Sequence, residues 1–337
     1  QDSSSKDWYS WNGSQWTLFS ATLPAETTCS GQTQTNFYVS GGQIKYPHGQ
    51  TFIARGVNVY DSLMSTVITS SAADPLLARF PGLNFVRLNC FLGSNDSPNF
   101  SLDPPSAVTT FVNDLTCHGA VVELEHHAFP HLDSVQTGSN LQGEAAWYGA
   151  LATAFKSNPY VWFGATNEPV ASYYGGSNSA VTTEQVAIYN AIRGAGNGAP
   201  ILMELVGGGD TFALGANNPQ GLVASSYASM TNIVWDYHYY AGSVTGSQLT
   251  TNFNNAVSLI QEITSADGIV PIIVGEYGIS QNGVDTDPGG TTCCEVVQQS
   301  GFGSAAWGWL TGENDNLTDG YNNLTAYGQQ VAGWINS

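Results

Sequence analysis

Residues 160–169 read YVWFGATNEP, a short apolar run that ends in polar residues and is closed by Pro169. Runs of this kind occur at eight places: Phe52 to Asn58, Leu83 to Asn89, Ala120 to His126, Tyr160 to Asn167, Ile201 to Val206, Ile233 to His238, Ile272 to Glu276 and Ser304 to Trp309. Each run has the length of a strand and is followed by turn residues, as expected for strands buried on both faces. The chain is therefore predicted to contain eight buried strands.

Segments with helical spacing lie between these runs. Apolar residues recur at i, i+3, i+4 and i+7 in the sets Val108, Phe111, Val112, Leu115; Tyr148, Leu151, Ala152, Phe155; and Phe253, Val257, Ile260. Thr182 and Gln185 predict a capping box at the start of a further helix. Eight strand–helix units predict an α/β fold, the (β/α)₈ TIM barrel. A doubly wound open sheet is the alternative, but the residues after Asn58 lack the glycine-rich phosphate turn that it would carry.

The N-terminal part of the chain differs from the rest. Residues 1–36 combine aromatic residues with Ser, Thr and Gln and show little periodicity, so they are predicted to form a separate aromatic-rich arm. Gly41 and Gly42 separate two short apolar segments, and paired glycines permit the positive φ that two-residue turns need. A short hairpin is therefore expected before the barrel, and residues 37–337 are predicted to form one catalytic domain.

Composition excludes several classes of protein. The 337 residues include 26 Asp plus Glu against 7 Lys plus Arg, for a net charge of −19, and 42% are hydrophobic. The apolar fraction is too high for a disordered chain, and the charge repels both nucleic acids and anionic lipid surfaces. No apolar run approaches the roughly 20 residues that span a bilayer. Residues 1–7 are polar, so the chain is expected to be already processed. It is also expected to be a secreted monomer, extracellular or periplasmic, and export would allow its five cysteines to form one or two disulfides.

Two carboxylates follow predicted strands at the end where a barrel of this kind forms its active site. Glu168 comes after the fourth strand, and Glu276 ends the seventh, between Gly275 and Tyr277. Side chains at these two positions would face each other across the mouth of the barrel. A pair about 5 Å apart is the arrangement that a retaining glycosidase requires.

Six motifs together resemble glycoside hydrolase family 5, the family of cellulase-like barrels. They occur in the family's order: Val86-Arg87-Leu88-Asn89, Glu125-His126-His127, Thr166-Asn167-Glu168-Pro169, His238-Tyr239-Tyr240, Gly275-Glu276-Tyr277-Gly278 and Trp307-Gly308-Trp309. The resemblance extends from about Phe37 to Ile335. It implies that Glu276 is the nucleophile and that Glu168 is the acid that protonates the leaving oxygen, then the base that activates water. It also implies that Arg87 and Tyr240 keep Glu276 ionised.

The resemblance further implies a set of substrate-binding residues. Asn167 would bond the 2-hydroxyl of the sugar at the cleavage point, and His126 and His238 would hold sugar hydroxyls or orient the carboxylates. A tryptophan would present a flat face to a pyranose ring. Trp309 is favoured over Trp307 for this role because it lies nearer the loop.

The function that the resemblance implies is retaining hydrolysis of a β-linked polysaccharide or oligosaccharide by an exported enzyme that needs no cofactor. An endo-β-1,4-glucanase is favoured, with an endo-β-1,4-mannanase or an exo-acting β-glucosidase as alternatives on the same scaffold. A carbohydrate-binding protein that has lost turnover is the alternative from another class. Its distinguishing feature would be damage to the carboxylate pair, and the sequence shows none.

The sequence gives less support to a metal site or to a serine hydrolase. Glu125, His126, His127 and His131 lie close together, but they form neither an HExxH pattern nor part of a second ligand cluster, so no metal site is predicted. The chain has no GxSxG elbow for a serine hydrolase. A buried Glu204 is expected to pair with an arginine rather than to take part in catalysis.

Overall fold

The computed structural model describes residues 8–11, 16–20, 36–60, 73–90, 93–94, 97–98, 106–127, 135–169, 178–205, 222–240, 246–278, 292–309, 316–319 and 323–337. The strands are β1 (Trp8–Trp11), β2 (Trp16–Ser20), β3 (Tyr38–Ser40), β4 (Gln43–Lys45), β5 (Arg55–Tyr60), β6 (Phe85–Cys90), β7 (Gly93–Ser94), β8 (Ser97–Pro98), β9 (Val121–His126), β10 (Val161–Ala165), β11 (Ile201–Glu204), β12 (Ile233–Tyr239), β13 (Thr264–Ser265), β14 (Gly268–Ile269), β15 (Ile272–Tyr277) and β16 (Gly303–Trp309). The helices are α1 (Ala73–Arg79), α2 (Ser106–Cys117), α3 (Gly138–Ala154), α4 (Asn178–Gly194), α5 (Ala224–Tyr227), α6 (Ser247–Ile260), α7 (Cys293–Gln299) and α8 (Ala326–Ile335). No helix in these ranges has the length and apolar character needed to cross a membrane.

Eight parallel strands close into a barrel. In chain order they are β5, β6, β9, β10, β11, β12, β15 and β16, each bonded to the next, and β16 pairs with β5 to close the ring. The eight predicted strands and the (β/α)₈ fold are therefore confirmed. Their apolar residues are buried because one face of each strand meets the helices and the other meets the barrel interior.

The helices cover the barrel with the faces that the sequence predicts. Val108, Phe111, Val112 and Leu115 of α2 are all buried. The capping box predicted at Thr182 is wrong, because α4 begins at Asn178 and Thr182 lies within it. A capping box is present instead at α7, where the Thr292 hydroxyl and the Glu295 side chain each accept the other residue's backbone N–H.

The predicted hairpin lies before the first barrel strand. β3 and β4 pair antiparallel around Gly41 and Gly42, whose φ angles of 59° and 71° are those of a two-residue turn. Phe37, just before the hairpin, packs its ring against Phe52 and Trp162. The hairpin region is thereby attached to the barrel. β1 and β2 form a separate antiparallel pair, and the division of the chain after residue 36 stays a prediction.

The interior of the barrel is polar where the strands approach their C-terminal ends. Two glycines leave the space that these inward side chains need. A Cβ on Gly164 would lie 2.2 Å from Oε1 of Glu123, and a Cβ on Gly275 would lie 1.9 Å from Oδ1 of Asp236. Glycine at these strand positions therefore lets carboxyl groups occupy the centre of the barrel.

Candidate active site

The two predicted catalytic carboxylates meet at the C-terminal end of the barrel. Glu168 follows β10, the fourth barrel strand, and Glu276 is the penultimate residue of β15, the seventh. A carboxylate oxygen of Glu168, a carboxylate oxygen of Glu276 and a ring nitrogen of His238 all lie within 4.8 Å of one another. The structure thus brings together two residues that are more than 100 positions apart in the chain.

Glu276 is held by the two donors that the sequence predicts. Nη1 of Arg87 donates to its Oε1 at 2.7 Å, and the hydroxyl of Tyr240 donates to its Oε2 at 3.0 Å. Burial raises the pKa of the Glu276 carboxyl, and the positive charges of His238 and Arg87 oppose that rise. Both oxygens therefore have a fixed donor, which orients the carboxylate.

Glu168 has a different environment from Glu276. Its side chain is 22% exposed, whereas the side chain of Glu276 is 5% exposed. Its Oε1 lies 2.9 Å from Nδ1 of His238, and its backbone N–H donates to Oε1 of Glu204 at 2.7 Å. Of the two carboxylates, Glu168 is therefore the one that solvent or a ligand can reach.

His238 lies between several carboxyl groups. Its Nδ1 is 2.9 Å from Glu168, 3.4 Å from Glu204 and 3.5 Å from Glu276, and its Nε2 is 3.7 Å from Asp236. Burial alone would lower the pKa of His238, but these four carboxyls raise it well above its usual value. The surroundings of the ring therefore favour its protonated form, in which Nδ1 donates a hydrogen bond to Glu168.

Arg87 is the cation at the centre of the site. Besides Glu276, it lies within 4 Å of four further carboxyls, those of Glu123, Glu125, Glu204 and Asp236. Its Nη2 also donates to Oδ1 of Asn167 at 2.8 Å. That bond fixes the amide of Asn167, so that its NH₂ group is the donor it presents elsewhere in the site.

His126 does not lie where its predicted role requires. Its Nδ1 is 2.7 Å from Glu144 of α3, and its backbone N–H donates to the hydroxyl of Tyr148 on the same helix. The side chain therefore faces the helical layer, and the prediction of His126 as a sugar-binding residue is corrected. Successive side chains of a strand point to opposite faces, so the residue after His126 is the one directed inward.

His127 is that inward residue, and sequence reasoning missed it. Its Nδ1 is 2.8 Å from Oε1 of Glu125, and its Nε2 is 3.4 Å from Nδ2 of Asn167. Glu125 accepts the Nδ1–H proton in the neutral ring, which leaves Nε2 as the acceptor. The alternation of Glu123 and Glu125 in the same strand could have indicated this choice.

The positions of the two tryptophans of β16 are the reverse of those predicted. The Trp307 ring stacks on His127, with centroids 5.6 Å apart and planes 22° apart. Trp309 instead meets Phe80 edge-on in the core, at 5.9 Å. The register of β16 with β5 shifts between Ala306 and Trp309, so simple alternation does not hold there. Trp307, rather than the predicted Trp309, is the tryptophan at the site.

A second set of carboxyls lies beneath the pair. Burial by itself would raise the pKa of Glu125, but Arg87, His127 and Asn89 lower it to about 2. Burial and the neighbouring Asp236 instead raise the pKa of Glu123 well above its usual value. The interior therefore favours the ionised form of Glu125 and the protonated form of the neighbouring Glu123.

Two groups of residues in the described ranges have the donor types that bind metal ions. They are Glu168, His238 and Glu276, and Glu204, Asp236 and His238. Arg87 lies 2.7 Å from Glu276, 3.4 Å from Glu204 and 3.3 Å from Asp236. A bound cation in either group would be repelled by this guanidinium and by protonated His238.

Known proteins match this chain along most of its length. The sequence profile of the cellulase family, glycosyl hydrolase family 5, matches residues 48–313. A mannan endo-1,4-beta-mannosidase from Cellvibrio japonicus (strain Ueda107) is 26% identical over 287 residues. That alignment covers 84% of this chain and spans 60% of the length of the relative.

Two solved structures have the same fold. The catalytic domain of endoglucanase Cel5A from Thermobifida fusca superposes with a TM-score of 0.69 at 18% identity, covering 90% of this chain and 98% of that one. A β-mannanase from Thermomonospora fusca superposes with a TM-score of 0.65 at 20% identity, covering 88% of this chain and 94% of that one. These similarities support the barrel.

Proposed function

Because the chain belongs to glycosyl hydrolase family 5, we propose that it is a retaining endo-β-glycanase that cleaves β-1,4-linked polysaccharide. The observation that carries this proposal is the distance between the carboxylates, because an oxygen of Glu168 lies within 4.8 Å of an oxygen of Glu276. Retaining glycosidases hold their two carboxyl groups about 5 to 5.5 Å apart, whereas inverting enzymes need roughly 6.5 to 9.5 Å to admit a water molecule.

In the first step, Glu276 attacks the anomeric carbon of the bound sugar. A bond forms between a Glu276 oxygen and that carbon, and the bond from the carbon to the leaving oxygen breaks. The leaving oxygen keeps the electron pair and takes a proton from Glu168. Arg87 and Tyr240 hold Glu276 in place, and the Asn167 amide would donate to the 2-hydroxyl, a bond that strengthens in the transition state.

In the second step, water releases the sugar. Glu168 accepts a proton from the water as the water oxygen attacks the anomeric carbon, and the bond to Glu276 breaks with its electrons returning to the carboxylate. Nδ1 of His238 is hydrogen-bonded to the Glu168 carboxyl at 2.9 Å. The two displacements together retain the anomeric configuration.

The substrate has two candidates, each with a specific observation behind it. The relative that matches by sequence, at 26% identity, is a mannan endo-1,4-beta-mannosidase. The matching family profile is described as that of cellulases. The two substrates differ in the configuration at the sugar's C2, beside the predicted contact of Asn167, so a direct assay has to decide between them.

The test incubates the purified protein with carboxymethylcellulose, mixed-linkage β-glucan and galactomannan, and separates the products by size. A ladder of oligosaccharides from either the glucans or the mannan is expected, with proton NMR showing that the first product formed keeps the β configuration. Release of monosaccharide alone would indicate an exo-acting enzyme instead. An initial α product would refute the retaining mechanism.

Three variants connect the activity to the proposed residues. Glu276→Ala and Glu168→Gln should each lower kcat/KM by a factor of about 10² or more, since each removes covalent or acid–base catalysis. Glu262→Gln replaces an exposed carboxyl on another surface and serves as the control. Binding of glycan by wild type without turnover on any substrate would support the carbohydrate-binding alternative.

We also propose that the protein acts outside the cytoplasm, because a polysaccharide is too large to reach an enzyme inside the cell. The expected disulfide and the expected monomeric state belong to the same proposal. Counting thiols in the denatured, unreduced protein tests the first, and sedimentation at micromolar concentration tests the second. Five reactive thiols per chain would refute the disulfide.

A further inference from the structure

The backbone that carries Glu168 adopts an unusual conformation. After β10 ends at Ala165, Thr166 has φ 66° and Glu168 has φ 43°. Both residues have a Cβ, and the left-handed region is unfavourable for such residues. The surrounding structure must therefore hold this turn in place.

The side chain of Glu204 makes the bond that holds the turn at Glu168. Its Oε1 accepts the backbone N–H of Glu168 at 2.7 Å, and its Oε2 lies 3.4 Å from Nη2 of Arg87. Glu204 ends β11, the barrel strand next to β10, and its side chain is only 1% exposed. A rigid strand thereby reaches across to the loop residue that would perform acid–base catalysis.

Further bonds keep Glu204 and the turn together. Nε2 of Gln185, on α4, donates to the backbone carbonyl of Glu204 at 2.7 Å and lies 3.5 Å from the hydroxyl of Thr166. The hydroxyl of Tyr227 donates to Oε1 of Gln185 at 2.6 Å, which fixes the orientation of that amide. The turn is therefore attached to both a strand and a helix.

We propose that Glu204 is a positioning residue that sets the location of Glu168 through its main-chain N–H, an inference that rests on the proposed function. Glu204 touches Glu168 through the backbone, while His238 contacts the Glu168 side chain. Movement of the turn would shift the acid–base carboxyl relative to Glu276. Displacements of about 1 Å can cost a factor of about 10² in rate.

The protonation of Glu204 agrees with this role. Burial raises its pKa well above the usual value, Asp236 and Glu168 add to the rise, and His238 and Arg87 oppose it. A neutral carboxyl still has a carbonyl oxygen that accepts the N–H of Glu168. Glutamine has the same length and the same acceptor, so Glu204→Gln keeps the bond.

Aspartate gives the opposite change. Glu204→Asp keeps the carboxyl chemistry but withdraws the group by one methylene, about 1.5 Å, out of reach of the Glu168 N–H. The pair of variants therefore separates the bond to the backbone from the presence of an acid at this position.

The chain offers a matched control for the loss of such a bond. At Asn232, another residue with positive φ, of 55°, the backbone N–H donates to Oδ2 of Asp267 at 2.6 Å. Asn232 comes just before β12, so this bond lies at the end of the barrel opposite to the site. Asp267→Ala removes the same kind of interaction without altering the neighbourhood of Glu168.

The experiment compares kcat/KM on two aryl β-cellobiosides and two aryl β-mannobiosides, carrying a phenyl or a 2,4-dinitrophenyl leaving group. Phenolate needs protonation on departure, whereas dinitrophenolate does not, so only the phenyl substrates depend on a well-placed acid. For Glu204→Asp we expect a loss of about 10²-fold on the phenyl substrate and less than tenfold on the dinitrophenyl one. Glu204→Gln should stay within about fivefold of wild type on both, and Asp267→Ala should leave the ratio unchanged.

Equal losses on both leaving groups, or no loss, in Glu204→Asp would overturn the inference. If that variant does not fold, Gln185→Leu gives the same test, because it removes the bonds to Glu204 and Thr166. If wild type cleaves neither these substrates nor the three polysaccharides, the proposed function fails, and a crystal structure of Glu204→Asp still decides the positioning role. An unchanged φ at Glu168, with its carboxyl in place, would then refute it.

Discussion

Replacing Glu125 by glutamine should destabilise the protein in a way that depends on pH. Glu125 is buried, and Arg87 lies 3.4 Å away while Asn89 and His127 lie at 2.7 and 2.8 Å. These groups lower its pKa from 4.5 to about 2. The difference corresponds to about 3 kcal/mol of stability from the ionised form.

The direction of the pH dependence follows from the lowered pKa. An acid that is stronger in the folded protein contributes its full stability above the unfolded value of 4.5, and this contribution is lost as the pH falls toward about 2. The free energy of unfolding of wild type should therefore exceed that of Glu125→Gln by about 3 kcal/mol at pH 6. About 2 kcal/mol of that difference should be gone at pH 3.

Urea unfolding of both proteins at pH 3, 4, 5 and 6 measures this difference, since groups common to both cancel in the comparison. Glu262→Gln, at an exposed carboxyl, is the control and should show neither the loss nor its pH dependence. A gap between wild type and Glu125→Gln that stays constant from pH 3 to pH 6 would refute the reasoning. The lost stability would then come from altered packing or hydrogen bonding.

Three further predictions follow from the structure. Gly275→Ala places a Cβ 1.9 Å from Oδ1 of Asp236, so it should lower the free energy of unfolding, measured by urea denaturation, by about 3 kcal/mol. Adding Asp236→Ala should restore part of that stability. Wild-type stability in the single variant would contradict the prediction. Trp307→Ala should raise KM about tenfold, whereas Trp309→Ala should leave KM near wild type; both indoles are buried, so each change should cost about 3 kcal/mol or more of stability. The pKa of His238 is raised in the folded state, so its contribution to stability is complete below pH 6.5 and is lost at higher pH. Calorimetry should therefore show a melting temperature that falls above pH 6.5 in wild type and falls less steeply in His238→Gln.

The barrel and the carboxylate pair could be predicted because both depend on local patterns. An apolar run followed by polar residues shows where a buried strand ends, and the C-terminal ends of parallel strands meet at one end of a barrel. That rule places Glu168 and Glu276 at one end of the barrel, and the resemblance to the family distinguishes them from other strand-end carboxylates such as Glu204. Arg87 and Tyr240, predicted to hold Glu276, do contact it in the structure.

The direction in which a side chain points was harder to predict. His126 and His127 are adjacent at the end of β9, and only the alternation of the strand decides which one faces inward. Trp307 and Trp309 are two residues apart, so regular alternation would give them the same face. The shift of register after Ala306 separates them.

The polar interior could not be predicted because its contacts join distant parts of the chain. An arginine partner was expected for Glu204, but only the closed barrel brings it 3.4 Å from Arg87, across 117 residues of sequence. A glycine in a strand allows close approach of another group, but the sequence does not show which group approaches Gly164 or Gly275. Their role depends on carboxyls that reach them from neighbouring strands.

The carboxyls around Arg87 cannot all be ionised, and their pKa directions show how the charge is distributed. Glu125 is ionised, whereas burial raises the pKa of Glu123 and of Glu204 well above the usual range. With those two pKa values raised, the carboxyls that face the guanidinium are mainly those of Glu125, of Asp236 at 3.3 Å and of Glu276, to which it donates at 2.7 Å. The raised pKa values of Glu123 and Glu204 thus reduce the competition for the arginine and favour its short bond to the proposed nucleophile.

Alkaline pH should weaken this arrangement. Ionised Glu123, whose Oε1 lies 3.8 Å from Nε of Arg87, would compete with Glu276 for the guanidinium. Glu123→Gln cannot ionise, so its kcat/KM on a dinitrophenyl glycoside, which needs no proton from Glu168, should hold to higher pH than that of wild type, while its acidic limb stays the same. An alkaline limb at the same position in both proteins would show that Glu123 does not control the hold of Arg87 on Glu276.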